Sequence, residues 1–153
     1  MRRKAFALFT MGAVVAAALA GCQSADRPPT PTGQAAATGS VEPFVGKWGF
    51  AAYHRDSDRP RTEKEARAQC SNAYVISKGP NGGVMMNLAD EKDKSELFLK
   101  QGGGKSYLGP AGPAPMLEDS EVLQVDSKSF TTRYMDPDAS SRYGTSIYVR
   151  CGA

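Results

Sequence analysis

Histidine, tryptophan and cysteine are scarce in this chain. There is one histidine, His54, one tryptophan, Trp48, and three cysteines, Cys22, Cys70 and Cys151. Zinc takes three or four nitrogen, sulfur or oxygen ligands, and this inventory holds no soft-ligand cluster. No metal and no cofactor is expected. No serine lies in Gly-x-Ser-x-Gly or Ser-x-x-Lys, the settings that activate it in common hydrolases. Gly102-Gly103-Gly104-Lys105-Ser106 lacks the first glycine of a phosphate loop, since position 99 is Leu99, and the motif's lysine should open a helix. Here Gly109 and Pro110 follow almost at once. His54-Arg55-Asp56 has the letters of a kinase catalytic loop without the lysine strand or magnesium motif that give them meaning. Asp90, Glu91, Asp93 and Glu96 alternate with Lys92 and Lys94 and lack the spacing of a calcium loop. They read as a solvated hairpin edge. The chain is therefore expected to be a non-enzyme.

What is present begins at the N-terminus. Arg2, Arg3 and Lys4 precede an apolar run from Ala5 to Ala20. That run is shorter than the roughly 20 residues a membrane-spanning helix needs. A basic head, a short apolar core and small residues after it make an export signal. Leu19-Ala20-Gly21-Cys22 resembles the lipobox of bacterial lipoproteins. The resemblance implies cleavage before Cys22, so that residues 1–21 are a removed signal peptide. It also implies a diacylglyceryl group on the Cys22 thiol and a membrane as partner through that lipid. Each buried methylene contributes about 0.8 kcal/mol, and two or more chains anchor stably. Gln23, rather than Asp, after the lipidated cysteine implies a cell-envelope location at the outer rather than the inner membrane.

Removing the signal changes the charge. The chain has 19 Lys+Arg and 16 Asp+Glu, a formal +3. Without Arg2, Arg3 and Lys4 the two signs balance at 16 each. The remaining chain then has no basic excess to suggest nucleic acid, which requires a basic face on the folded part. Cys70 and Cys151 are left to pair, as two cysteines in an oxidising compartment commonly do. A two-ligand metal site or free thiols are the alternatives. A disulfide closing so long a loop would contribute about 4 kcal/mol on the chain-entropy model.

Residues 22–42, rich in Pro, Ala, Thr and Gly, cannot bury enough apolar area to offset their ordering entropy. They read as a tether. A coil of that length reaches about 25 Å, or up to about 60 Å if polyproline-like.

Residues 43–153 read as one β domain. Short runs of β-formers recur between turn signals: 44–53, with Trp48, Phe50 and Ala52 on one face, then 73–77, 84–88, 96–100, 106–108, 121–125, 129–135 and 145–151. Asn81-Gly82, Gly102-Gly103-Gly104 and Asp126-Ser127-Lys128 separate pairs of them, and Asn-Gly between apolar runs is a strong hairpin signal. Seven or eight evenly spaced strands predict a small antiparallel up-and-down barrel or a sandwich. Thr62 followed by Glu65 fits a capping box and predicts one short helix over residues 62–69.

Two features suggest binding. Tyr107, Tyr134, Tyr143 and Tyr148 lie in the last third of the chain, near Arg133, Arg142 and Arg150, and Tyr and Arg are enriched at binding hot spots. Gly46-Lys47-Trp48 resembles the Gly-x-Trp at the first strand of lipocalins, and the opening of the alkaline protease inhibitor family of small barrels. The lipocalin resemblance implies that Trp48 closes one barrel end. In the inhibitors the two cysteines lie close together, whereas Cys70 and Cys151 nearly bracket this domain, so no inhibitor residue carries over. The expected function is a binding module, with a hydrolase inhibitor acting on an envelope protein as one form of it. The alternatives are a lipocalin-type carrier of a small apolar ligand and a structural envelope protein.

Overall fold

The computed structural model describes residues 39–152. The expected signal peptide, the expected lipidation at Cys22 and residues 22–38 of the expected tether lie outside the described residues. The described chain is a closed barrel of eight antiparallel strands in sequence order. They are β1 (Gly46–Tyr53), β2 (Tyr74–Lys78), β3 (Val84–Asn87), β4 (Lys94–Gly102), β5 (Lys105–Gly109), β6 (Ser120–Val125), β7 (Ser129–Tyr134) and β8 (Thr145–Arg150). β8 returns to pair with β1, Trp48 opposite Arg150 and Tyr53 opposite Thr145. Closure removes both sheet edges, which decides between barrel and sandwich.

The hairpins form where the turn chemistry placed them. Gly82 in the β2–β3 turn and Gly103 and Gly104 in the β4–β5 turn all have positive φ, which glycine adopts without steric cost. The β2–β3 turn is also held from β4. The Glu96 carboxylate accepts hydrogen bonds from the backbone N–H groups of Asn81 and Gly83 and from the Asn81 amide, at 2.7–2.9 Å. Glu96 is thus a structural ligand of a turn rather than a solvated edge. The Gly102–Gly104 segment leads from strand to strand, with no helix after Lys105.

Side chains alternate across the wall and make two cores. Inside the barrel, Phe44, Trp48, Ile76, Val84, Leu97, Leu108, Phe130 and Tyr148 cluster. Outside it, Tyr53, Ala66, Ile147 and Val149 cluster where a helix, α1 (Arg59–Ala68), covers β1 and β8. This double cover explains why Thr145 to Val149 are buried at every position. The approach is closest at Gly49, where an added Cβ would lie 1.8 Å from the Ala66 carbonyl oxygen and 3.2 Å from the Cys70 sulfur.

α1 starts earlier than the capping box predicted. Its cap position is Asp58 and Pro60 stands in its first turn, where proline's missing N–H is not needed. Thr62 is buried and donates its hydroxyl to the Asp58 carbonyl at 3.0 Å. It therefore caps nothing. A second helix, α2 (Pro137–Tyr143), sits between β7 and β8, with Asp136 accepting from the Ala139 N–H at 2.7 Å. Asp-Pro at cap and first-turn positions was a legible start signal that strand counting passed over.

Cys70 and Cys151 form a disulfide, with Cα atoms 5.5 Å apart. It fastens the segment after α1 to the end of β8. The ends of the barrel differ in kind. One carries the arm from Val41, the short turns and the disulfide. The other carries the β3–β4 loop, the end of the β5–β6 connection at Leu117 and Glu118, and α2.

Candidate functional site: the barrel mouth

The aromatic side chains form a continuous ladder along the barrel interior. At the closed end Phe44 and Trp48 meet the Phe130 ring edge-on, at 5.1 and 4.7 Å between centroids. The Trp48 indole donates to the Phe44 carbonyl at 2.8 Å. The Arg150 guanidinium lies 4.1 Å from the Trp48 ring and donates to the carbonyls of Pro43, Val45 and Ser127. Trp48 is wholly buried and plugs this end. Of the five residues singled out for binding, Trp48 lies away from the mouth, and Tyr107, buried on β5 opposite Lys100, is not part of it either.

Phe130 then stacks on Tyr148 at 4.2 Å, and Tyr148 packs against Phe50 at 5.0 Å and Tyr74 at 6.0 Å. Packing stops there. Phe50 occupies an interior-facing position two residues from Trp48, yet it is 42% exposed. Above it opens a cavity of about 410 Å³, lined by Phe50, Ala52, Tyr74, Asn87, Asp90, Glu91, Tyr134, Tyr143, Ser146 and Tyr148. A neighbouring hollow of about 430 Å³ shares Asp90, Glu91 and Tyr134 and adds Leu88, Leu117, Glu118, Asp136, Asp138 and Arg142. Tyr134, Tyr143 and Tyr148, noted for their density in sequence, thus converge on one opening.

An ion-pair latch divides the two hollows. Asp90, at the tip of the β3–β4 loop, adopts φ 63°, a left-handed conformation that Asp tolerates better than most residues. Arg142 of α2 donates to it bidentately at 2.6 and 2.8 Å, and the Tyr143 hydroxyl donates to the same carboxylate. Arg142 also donates to Asp138 at 3.0 Å. Hydrogen bonds from Arg142, then from Tyr143, hold the Asp90 carboxyl well below the usual carboxylate range. Asp90 and Glu96 were both expected on a solvated edge. The structure engages one at the mouth and the other in a turn.

The tyrosines are neutral donors and aromatic faces rather than phenolates. Burial, with Tyr134 and Tyr74 nearby, pushes Tyr148 well above its ordinary value against the opposing hydrogen bonds with Ser146 and Thr132. Burial also raises Tyr74 and Tyr134. The hydrogen bond to Asp90 raises Tyr143. Tyr74 has a second task. β2 and β3 pair only at Ser77–Met85 and Lys78–Val84, and beyond them the Tyr74 hydroxyl bridges the seam. It donates to the Asn87 side chain at 3.0 Å and accepts from the Asn87 N–H at 2.9 Å.

Two other features lie away from the mouth. Lys100 and Asp119 are buried on the outer wall, 3% and 0% exposed, with Lys100 Nζ 2.5 Å from Asp119 Oδ1. No donor is well aligned on that oxygen, so the contact is ionic in character. Lys100 donates to the Pro113 carbonyl, and Asp119 accepts from the Met116 N–H, pinning the β5–β6 connection to the barrel. His54 is exposed beside Asp56 and Arg133, without an aligned partner among the described residues. No group of three or more His, Cys, Asp or Glu could hold a metal among the described residues. No family model, curated protein or solved structure matches the chain.

Proposed function

We propose that this chain is a lipid-anchored lipoprotein of the bacterial cell envelope whose barrel is a binding module, with the mouth as a cup for a small ligand. The anchoring rests on the sequence up to Cys22. The cup rests on one observation: Phe50, an interior position of the barrel, is left bare above a filled core. Protein interiors are close-packed, and an aromatic ring at the floor of an open cavity of this size is the setting in which small ligands bind. The cavity size supports the lipocalin-type reading over a structural role. Val41 and Phe44 are buried in the closed end, so this stretch of the arm is not free to enter an enzyme cleft as an inhibitor would need.

Titrating the labelled full-length chain with benzyl alcohol tests the cup. Nuclear magnetic resonance shifts are expected at Phe50, Tyr74, Tyr134, Tyr143 and Tyr148, with Trp48 unmoved. Shifts scattered over the surface, or none, would remove the reading. Growth on labelled palmitate tests the anchor: label should enter the protein and be absent from the Cys22→Ala variant.

A further inference from the structure

We infer that the mouth selects organic cations, specifically a small ammonium with an apolar body; this deepens the cup reading and rests on it. Three observations carry it. The first is charge. The adjoining hollows are lined by five carboxylates, Asp90, Glu91, Glu118, Asp136 and Asp138, against the single guanidinium of Arg142. Asp90 and Asp138 are taken by Arg142 and Asp136 caps α2. Glu91 and Glu118 form no ion pair among the described residues. A concave site lined by one sign of charge concentrates ligands of the other sign.

The second observation is the ring faces. An aromatic face is the negative part of its quadrupole and attracts cations, most strongly where water is excluded. The chain already uses the mouth this way. Lys94 Nζ lies 4.8 Å from the Tyr74 ring centroid, and the Arg142 guanidinium lies 4.8 Å from that of Tyr143. Phe50 and Tyr148, which make the floor, carry no cation among the described residues.

The third is the absence of anion recognition in the cup itself. Its lining has no lysine or arginine, and the nearby Arg142 is saturated by Asp90 and Asp138. A carboxylate or phosphate would meet Asp90 and Glu91, and the nearby Lys94 is held at the rim, on the Tyr74 ring and the Val75 carbonyl, outside the cup lining. An ammonium would rest on Phe50 and Tyr148 beneath Glu91.

Three probes of matched shape separate cation selection from simple apolar binding. These are choline, its neutral carbon isostere 3,3-dimethyl-1-butanol, and the anion 3,3-dimethylbutanoate. Each is titrated into the full-length chain and followed at the mouth resonances. Choline is expected to bind at least about tenfold more tightly than the alcohol, with the acid weakest. Glu91→Gln with Glu118→Gln, both at exposed positions, should weaken choline severalfold and leave the alcohol unchanged. Equal binding of choline and the alcohol would overturn cation selection and leave the cup standing. No mouth shift with any of the three probes would overturn both.

Discussion

Trp48 and Phe50 lie on one strand and one face, two residues apart, and have opposite fates. Trp48 is fully buried and Phe50 is 42% exposed. The difference lies in what the two barrel ends are made of. At the closed end the turns are short, the arm from Val41 folds in, and Arg150 ties three backbone carbonyls together beneath the indole. At the mouth the connections are longer and stand apart, held by a polar latch rather than by packed apolar side chains. Apolar packing is thus concentrated at one end, while the other carries exposed aromatic surface. Low local stability is the usual property of binding regions.

The contrast can be broken most forcefully at the plug. Trp48→Ala should cost about 3–5 kcal/mol, the range for emptying a large aromatic site in a packed core, and calorimetry should show a large drop in Tm. Phe50→Ala, made at the equivalent position of the open end, should change Tm little and abolish the benzyl alcohol shifts. Equal losses of stability would mean that the mouth is packed like the plug. Next in size is the disulfide. Cys70→Ser with Cys151→Ser should cost about 2–4 kcal/mol, read as a lower denaturant midpoint, with mouth binding retained at low temperature.

The latch gives a smaller and more local effect. Arg142→Ala should raise amide exchange in the β3–β4 loop and α2 while Trp48 and its neighbours keep their protection. Uniform protection in the variant would show that the latch does not organise the mouth. Acid gives the last and mildest effect. The folded-state pKa values of Asp90, Glu96 and Asp126 are all lowered. For Asp126 the causes are the Lys128 and Ser129 backbone N–H groups. For Glu96, partial desolvation opposes the shift and the bonds from Asn81 and Gly83 together outweigh it. Depressed carboxylates stabilise the fold above their unfolded values, near pH 4, and this contribution is lost as pH falls through the folded values. Melting curves should be flat from pH 7 to 5 and shift downward below about pH 4. Constant stability down to pH 2 would contradict this assignment.

The ends also differ in how plainly the residues announced them. Closed-end hairpins were legible because their signals are local: Asn81-Gly82, the glycines at 102–104 and Asp126-Ser127-Lys128 act within a few residues. Trp48 was legible as a plug through Gly46-Lys47-Trp48. The mouth was legible only as a density of tyrosines. Tyr74 and Phe50 join that cluster from the first half of the domain, and Asp90 meets Arg142 across 52 residues, a pairing no spacing rule could supply. Phe50 was the hardest residue to read. Alternation assigned it correctly to the inner face, but whether an inner face is filled depends on residues that arrive from every other strand.

The arm and the C-terminal end of β8 have a mechanical consequence. Val41 and Phe44 enter the core at the closed end, and the Cys151 N–H donates to the Lys47 carbonyl at 2.9 Å beside them. Both termini of the described chain are therefore fastened at the same pole. A pull on the segment before Val41, resisted at the C-terminal end of β8, would be carried by the carbonyls that Arg150 straps and by the bond from Cys151 to Lys47. The opposite rim lies off the line between those two points, so its loops stay slack around a guest while the base is taut.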